Sequence, residues 1–245
     1  MRRGRGRVVI NRRNGVVESV SREFGRPRPF LRSSNVRRDV RVVKKRLRKM
    51  VSQEELNWID TAITSVTINN TPAFTLLNGC TQGDTAVTRD GNEITCTSLQ
   101  IRFRLMPSAQ TDANAVVTTS SYNTRIIYFW DRQPNKAVPS GLGDILDQTT
   151  LDSMVVPYNY TNKKRFKILW DYIWEPKNKV HITTDSNIAD SVYIRKRIKL
   201  GRSTSYSGNA GTVADINTNS LYMVAFTSTK NVVMLGGIRL YFKDH

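Results

Sequence analysis

Apolar and polar residues alternate in short runs through most of this chain after Trp58. Val, Ile, Thr, Tyr and Phe gather in segments separated by Gly, Pro, Asn, Asp and Ser, which is the texture of strands and turns. The runs predict strands at 62–69, 93–106, 123–130, 164–174, 179–184, 191–200, 219–228 and 235–242. Two alternate cleanly. Leu99, Ile101, Phe103 and Leu105 share one face of the second run, with Arg102 and Arg104 on the other. In 192–200, Val192, Ile194, Ile198 and Leu200 oppose Tyr193, Arg195, Arg197 and Lys199. Period two puts one face on a core and the other toward solvent or a ligand. About eight antiparallel strands suit a sandwich, a barrel or a jelly roll. Segments 71–92, 131–163 and 201–218 show little strand signal, and connections longer than about 15 residues usually serve function or interaction.

The N-terminal region has a different texture. Residues 1–38 combine charge with scattered Gly and Pro and no sustained period, so disorder is expected there. From Asp39 a helical stripe begins: Val40, Val43, Leu47 and Met50 fall at helical spacing, with basic residues around them. The expected organisation is therefore a basic arm over 1–50, with a short helix at 39–50, followed by one β-domain over 51–245.

Charge sharpens this division. The chain carries 38 Lys and Arg against 20 Asp and Glu. Residues 1–50 hold 18 of the basic residues, fifteen of them arginine, against Glu18, Glu23 and Asp39 alone. The body is close to neutral. Arginine forks onto phosphate oxygens, so the first partner to consider is nucleic acid. The candidate contacts in the arm are Arg2, Arg3, Arg5, Arg7, Arg12, Arg13, Arg22, Arg26, Arg28, Arg32, Arg37, Arg38, Arg41, Lys44, Lys45, Arg46, Arg48 and Lys49. Arg102, Arg104, Arg195, Arg197 and Lys199 on the two strand faces are secondary candidates, because alternating cations also simply keep the outside of a sheet soluble. Lys44 to Lys49 further suits a nuclear-localisation signal.

Catalytic chemistry has little to stand on. The two histidines are His181 and His245, without metal-ligand spacing, and the two cysteines, Cys80 and Cys96, form no Cys-x-x-Cys. Nucleophile-elbow, P-loop and dinucleotide signatures do not occur. An enzyme is disfavoured, and no cofactor or metal is expected. Trp58, Trp130, Trp170 and Trp174 could stack on bases, but strand tryptophans more often anchor cores or interfaces. No run reaches the roughly 18–20 apolar residues of a transmembrane helix, so membrane insertion is not expected. Asn69-Asn70-Thr71 and Asn159-Tyr160-Thr161 match the glycosylation pattern and read as chance occurrences.

Several segments, in order, resemble the capsid proteins of circular single-stranded DNA viruses of the circovirus-like group. These are Glu54 to Asp60, Leu77-Asn78-Gly79-Cys80-Thr81-Gln82-Gly83-Asp84, Arg89-Asp90-Gly91-Asn92-Glu93-Ile94, Arg125 to Asn135 with its Asp131-Arg132-Gln133-Pro134-Asn135 ending, Lys164 to Asp171, and the closing Ile238 to Asp244. The resemblance covers about 54–245. This arm departs from the dense arginine runs of the best-known circoviruses by its Val, Asn, Ser and Glu.

The resemblance implies an all-β fold: a single eight-stranded antiparallel jelly roll with a disordered basic N-terminal arm. It implies a structural capsid protein that self-assembles into an icosahedral shell around circular single-stranded DNA. With about sixty copies, the arms would bring roughly 900 positive charges to the phosphates. The partners it implies are further copies of the chain, single-stranded nucleic acid (DNA in this reading), the host nuclear import machinery and a host attachment receptor. It places the protein in the virion and, during assembly, in the host nucleus. Two other readings stay open: a jelly-roll capsid protein of a small RNA virus, and a cellular nucleic-acid-binding β-protein.

Overall fold

A computed structural model of the protein describes residues 7–13, 16–23, 40–44, 56–107, 123–147, 154–176, 191–228 and 231–244. The chain divides into two units, Met1–Glu54 and Glu55–His245.

The first unit contains strands β1 (Arg7–Arg13) and β2 (Val16–Glu23), which pair antiparallel from Arg7 opposite Glu23 to Arg13 opposite Val16. Regular structure therefore occurs within the stretch expected to lack it. The signal was present. Val8-Val9-Ile10 and Val16-Val17 are β-branched runs, and the two residues between the strands in sequence, Asn14-Gly15, are the strongest short hairpin dipeptide. Residues 40–44 are helical, and Val40 and Val43 of the predicted stripe are exposed. Leu47 and Met50 of that stripe lie outside the described residues.

The second unit consists of two antiparallel sheets. Its strands are β3 (Asn57–Ile68), β4 (Ala73–Leu76), β5 (Glu93–Pro107), β6 (Thr124–Asp131), β7 (Phe166–Trp174), β8 (Val192–Tyr206), β9 (Ile216–Thr218), β10 (Ser220–Thr227) and β11 (Val232–Asp244). One sheet has the order β4-β10-β6-β7 and the other β3-β11-β5-β8-β9. Without the three-residue β9, this is two four-stranded sheets, and apart from the paired β6 and β7 each strand is followed by one in the other sheet, as in an eight-stranded jelly roll. Strand β4 was missed in the sequence because four residues, Ala73-Phe74-Thr75-Leu76, are too short to show a period. The strand expected at 179–184 lies outside the described residues.

Alternation dictates which side chains fill the space between the sheets. In β5, Ile94 and Cys96 point inward, and a register shift between Cys96 and Ser98 then moves the buried phase to Leu99, Ile101, Phe103 and Leu105. Opposite this shift, Gly201 takes a φ of 70°, a conformation suited to glycine. Strand β8 continues beyond it through Ser203 to Tyr206, residues whose Ser and Gly content had suggested a loop. From the facing sheet come Ile126, Tyr128 and Trp130 of β6 and Leu221, Met223 and Ala225 of β10.

Strands β6 and β10 are buried along their whole length. Their second face, with Ile127, Phe129, Tyr222, Val224 and Phe226, lies under Leu142, Ile145, Leu146, Met154, Val156 and Phe166. Much of the long connection between β6 and β7 thus forms a packing layer, and the outer face of the other sheet is left as the polar one.

Candidate nucleic-acid interface

The exposed face of the β3-β11-β5-β8 sheet collects cations from three strands. Antiparallel register aligns Asp60, Arg239, Gln100 and Arg197 in one row across the sheet. The next rows contain Gly237, Arg102 and Arg195, then Leu235, Arg104 and Tyr193. On the other side lie Trp58, Tyr241, Ser98 and Lys199. Directly opposed residues share a face of the sheet, so the secondary candidates of the sequence, Arg102, Arg104, Arg195, Arg197 and Lys199, form one patch.

Aromatic rings are interleaved with these cations. The Arg104 guanidinium lies 5.2 Å from the Tyr193 ring centroid, Arg197 lies 5.5 Å from Tyr241, and Arg239 lies 5.6 Å from Trp58. Hydrogen bonds to uncharged hydroxyls hold two of the guanidiniums in place. Arg104 Nη2 donates to Ser191 Oγ at 3.0 Å, and Arg197 Nη2 donates to Ser98 Oγ at 3.2 Å. The Gln100 amide sits between the Arg102 guanidinium and the Tyr241 hydroxyl.

Counter-charge is scarce. Arg239 forks onto Asp60, with Nε and Nη2 each 2.6 Å from a carboxylate oxygen. That hydrogen bond holds the Asp60 carboxyl below its usual range. Arg102, Arg104, Arg195, Arg197 and Lys199 make no ion pair among the described residues. Tyr193 was placed on this face by the alternation in 192–200, whereas Arg239, Trp58 and Tyr241 were not singled out in the sequence as members of it. The alternation of Arg239 and Tyr241 with the buried Ile238, Leu240 and Phe242 was their signal.

Of the arm candidates, Arg7, Arg12 and Arg13 lie on β1, Arg22 on β2, and Arg41 and Lys44 on the helical turn. Arg2, Arg3, Arg5, Arg26, Arg28, Arg32, Arg37, Arg38, Lys45, Arg46, Arg48 and Lys49 lie outside the described residues, as do His181 and His245. Trp130 and Trp174 belong to the core and Trp170 packs against it, stacked on Tyr128 at 5.6 Å. Trp58 alone among the four lies on the basic face. Cys80 and Cys96 are both buried and free. Each sequon asparagine closes a turn: Asn69 Oδ1 accepts from Thr71 N and Asn159 Oδ1 from Thr161 N.

Other charged residues secure loops. Asp131, fully buried, accepts from Gln133 N at 3.0 Å and pairs with Arg165 at 2.8 Å. Arg125 pairs with Asp171 and donates to the carbonyls of Met154 and Val156. Arg89 is buried within carbonyl contacts to Cys80, Gly91 and Gly208, with its guanidinium 4.4 Å from the Tyr206 ring centroid. Asn78 bonds Thr204, Asn219 and the Leu221 amide.

A jelly roll with a basic arm and a second basic surface on one sheet has the construction of a viral coat subunit. The family model that describes the satellite tobacco necrosis virus coat protein matches residues 31–244, and the chain belongs to that family. No curated protein matches it. The protein is thus a viral coat protein, a structural component of the virion that associates with copies of itself.

The match corrects the resemblance to capsids of circular single-stranded DNA viruses, since this family is an RNA-virus-associated capsid. The error has a physical origin. Asn78, Arg89, Arg125, Asp131 and Arg165, all within the resembling motifs, fasten strand ends and loops. That task is imposed by the jelly roll and does not depend on the genome. The nuclear stage expected alongside it receives no support from the family.

Proposed function

We propose that this coat protein packages single-stranded RNA inside an icosahedral shell, with the basic arm and the exposed face of the β3-β11-β5-β8 sheet as two layers of phosphate contacts. The observation that carries this reading is the clustering of Arg102, Arg104, Arg195, Arg197 and Lys199 on one face without carboxylate partners among the described residues. A sheet that needed only solubility would do as well with mixed charge. Guanidinium contacts to phosphate position a strand without reading its bases, as packaging requires. The coat family supports RNA as the cargo.

Binding of single-stranded RNA, measured against salt for the full chain and for a variant lacking residues 1–50, tests the arm. Each lost phosphate contact lowers the magnitude of the slope of log affinity against log salt by about 0.7. The truncated protein should keep a smaller slope from the sheet face. Equal slopes for the two proteins would remove the arm from the interface.

A further inference from the structure

Tyr193 is 70% exposed, the second residue of β8, where that strand forms the edge of its sheet and pairs only with β5. Its ring is backed on one side by the Arg104 guanidinium, which is itself tied to Ser191. Along the same strand and the same face follow Arg195, Arg197 and Lys199, all exposed. Alternate residues of a strand lie about 6.8 Å apart, a spacing close to the phosphate repeat of an extended single strand. An aromatic platform at the head of a line of cations has the composition of a single-strand binding groove, where bases stack and phosphates follow the charge.

We infer that this sheet face binds unpaired nucleotides, with one base stacked on Tyr193 and the adjoining phosphates tracked by Arg195, Arg197 and Lys199. The inference rests on the reading of this face as a nucleic-acid surface and specifies the form it accepts. A paired base keeps both π-faces against its neighbours in the stack and leaves none for Tyr193. Duplex RNA therefore meets only the cations, and single strands gain the ring in addition.

The test uses the full chain, a short single-stranded RNA containing 2-aminopurine, and a duplex of the same length. Stacking on Tyr193 should quench the probe in the single strand. Tyr193→Ala and Tyr193→Leu should remove that quenching and weaken single-strand binding about tenfold, with duplex binding unchanged, while Tyr193→Phe retains both. The leucine variant preserves bulk, so a loss shared by the two variants reports the ring and not a packing defect. Undiminished quenching and affinity in both would overturn the inference. Failure of the underlying reading looks different: the combined Ala replacement of Arg195, Arg197 and Lys199 would leave single-strand and duplex binding equally unaltered.

Discussion

Arg102 on β5 and Arg195 on β8 stand directly opposite each other on the exposed face of the sheet. Like charges in that position oppose strand pairing, and an opposite pair would favour it by about 0.2–1 kcal/mol. The arrangement is a small structural cost at a place where the proposed ligand supplies negative charge.

Arg195→Glu should therefore separate stability from binding. The variant gains a cross-strand ion pair with Arg102, and its melting temperature should rise by a few degrees at most, at about 2–4 °C per kcal/mol for a chain of this size. Its affinity for single-stranded RNA should fall at the same time. Thermal melts and filter binding on the same preparation check both signs. A variant that binds RNA as well as the parent would show that this face is only a solvated surface.

Arg125 and Asp171 fasten the connection that covers β6 and β10. Arg125→Ala would take the cationic partner from Asp171 and one donor each from the carbonyls of Met154 and Val156. Breaking a buried pair from one side costs about 3–5 kcal/mol, and Asp171 also loses the partner that shares it with Tyr158. Chemical denaturation should show this loss. A change below about 1 kcal/mol would mean that the pair is not sealed from water.

Where the loop after β4 meets the loop after β8, backbone touches backbone. A side-chain carbon added at Gly79 would come 2.3 Å from the Gly211 carbonyl oxygen, and Gly211 holds a φ of 72°. Gly79→Ala should lower stability by about 2 kcal/mol or more, as strained close contacts do. Its melting curve should fall well below that of an alanine variant at Gly141, where the same carbon meets nothing within 4 Å.

Much of this architecture was legible in the sequence. Alternation in 99–106 and 192–200 located the inward side chains and the cation-bearing face of those two strands. What escaped was whatever a local period cannot express. Strand β4 is too short for one. The bulge at Cys96 to Ser98 reverses the phase within β5. The adjacency of Arg102 to Arg195 and of Arg197 to Tyr241 arises only when strands far apart in the chain pair. The Asn14-Gly15 hairpin signal was obscured by the charge around it. The family was misread because Asn78, Arg89 and Asp131 report a jelly-roll framework, which is not specific to the circovirus-like capsids.

Alkali should destabilise the body. Burial pushes the Cys80 and Cys96 thiols up to about 12, from 9.0. The Tyr158 and Tyr222 hydroxyls rise to about 12, from 10.0, chiefly through burial. An acid whose folded pKa lies above its unfolded one keeps its full stabilising contribution below the unfolded value and loses it as pH rises toward the folded one. Stability should thus be unaffected by these groups below about pH 9 and decline between about 9 and 12. Denaturation midpoints across that range check the direction. At pH 8 both thiols should also resist a thiol-specific reagent until the protein unfolds, since the reactive thiolate is scarce.

The nucleic acid recovered from purified particles assembled by the full chain in cells tests the central claim most directly. Treated in parallel with ribonuclease and deoxyribonuclease after extraction, it should be destroyed by ribonuclease and left intact by deoxyribonuclease. Particles that contain deoxyribonuclease-sensitive single strands, or that close without nucleic acid while the arm is present, would contradict it.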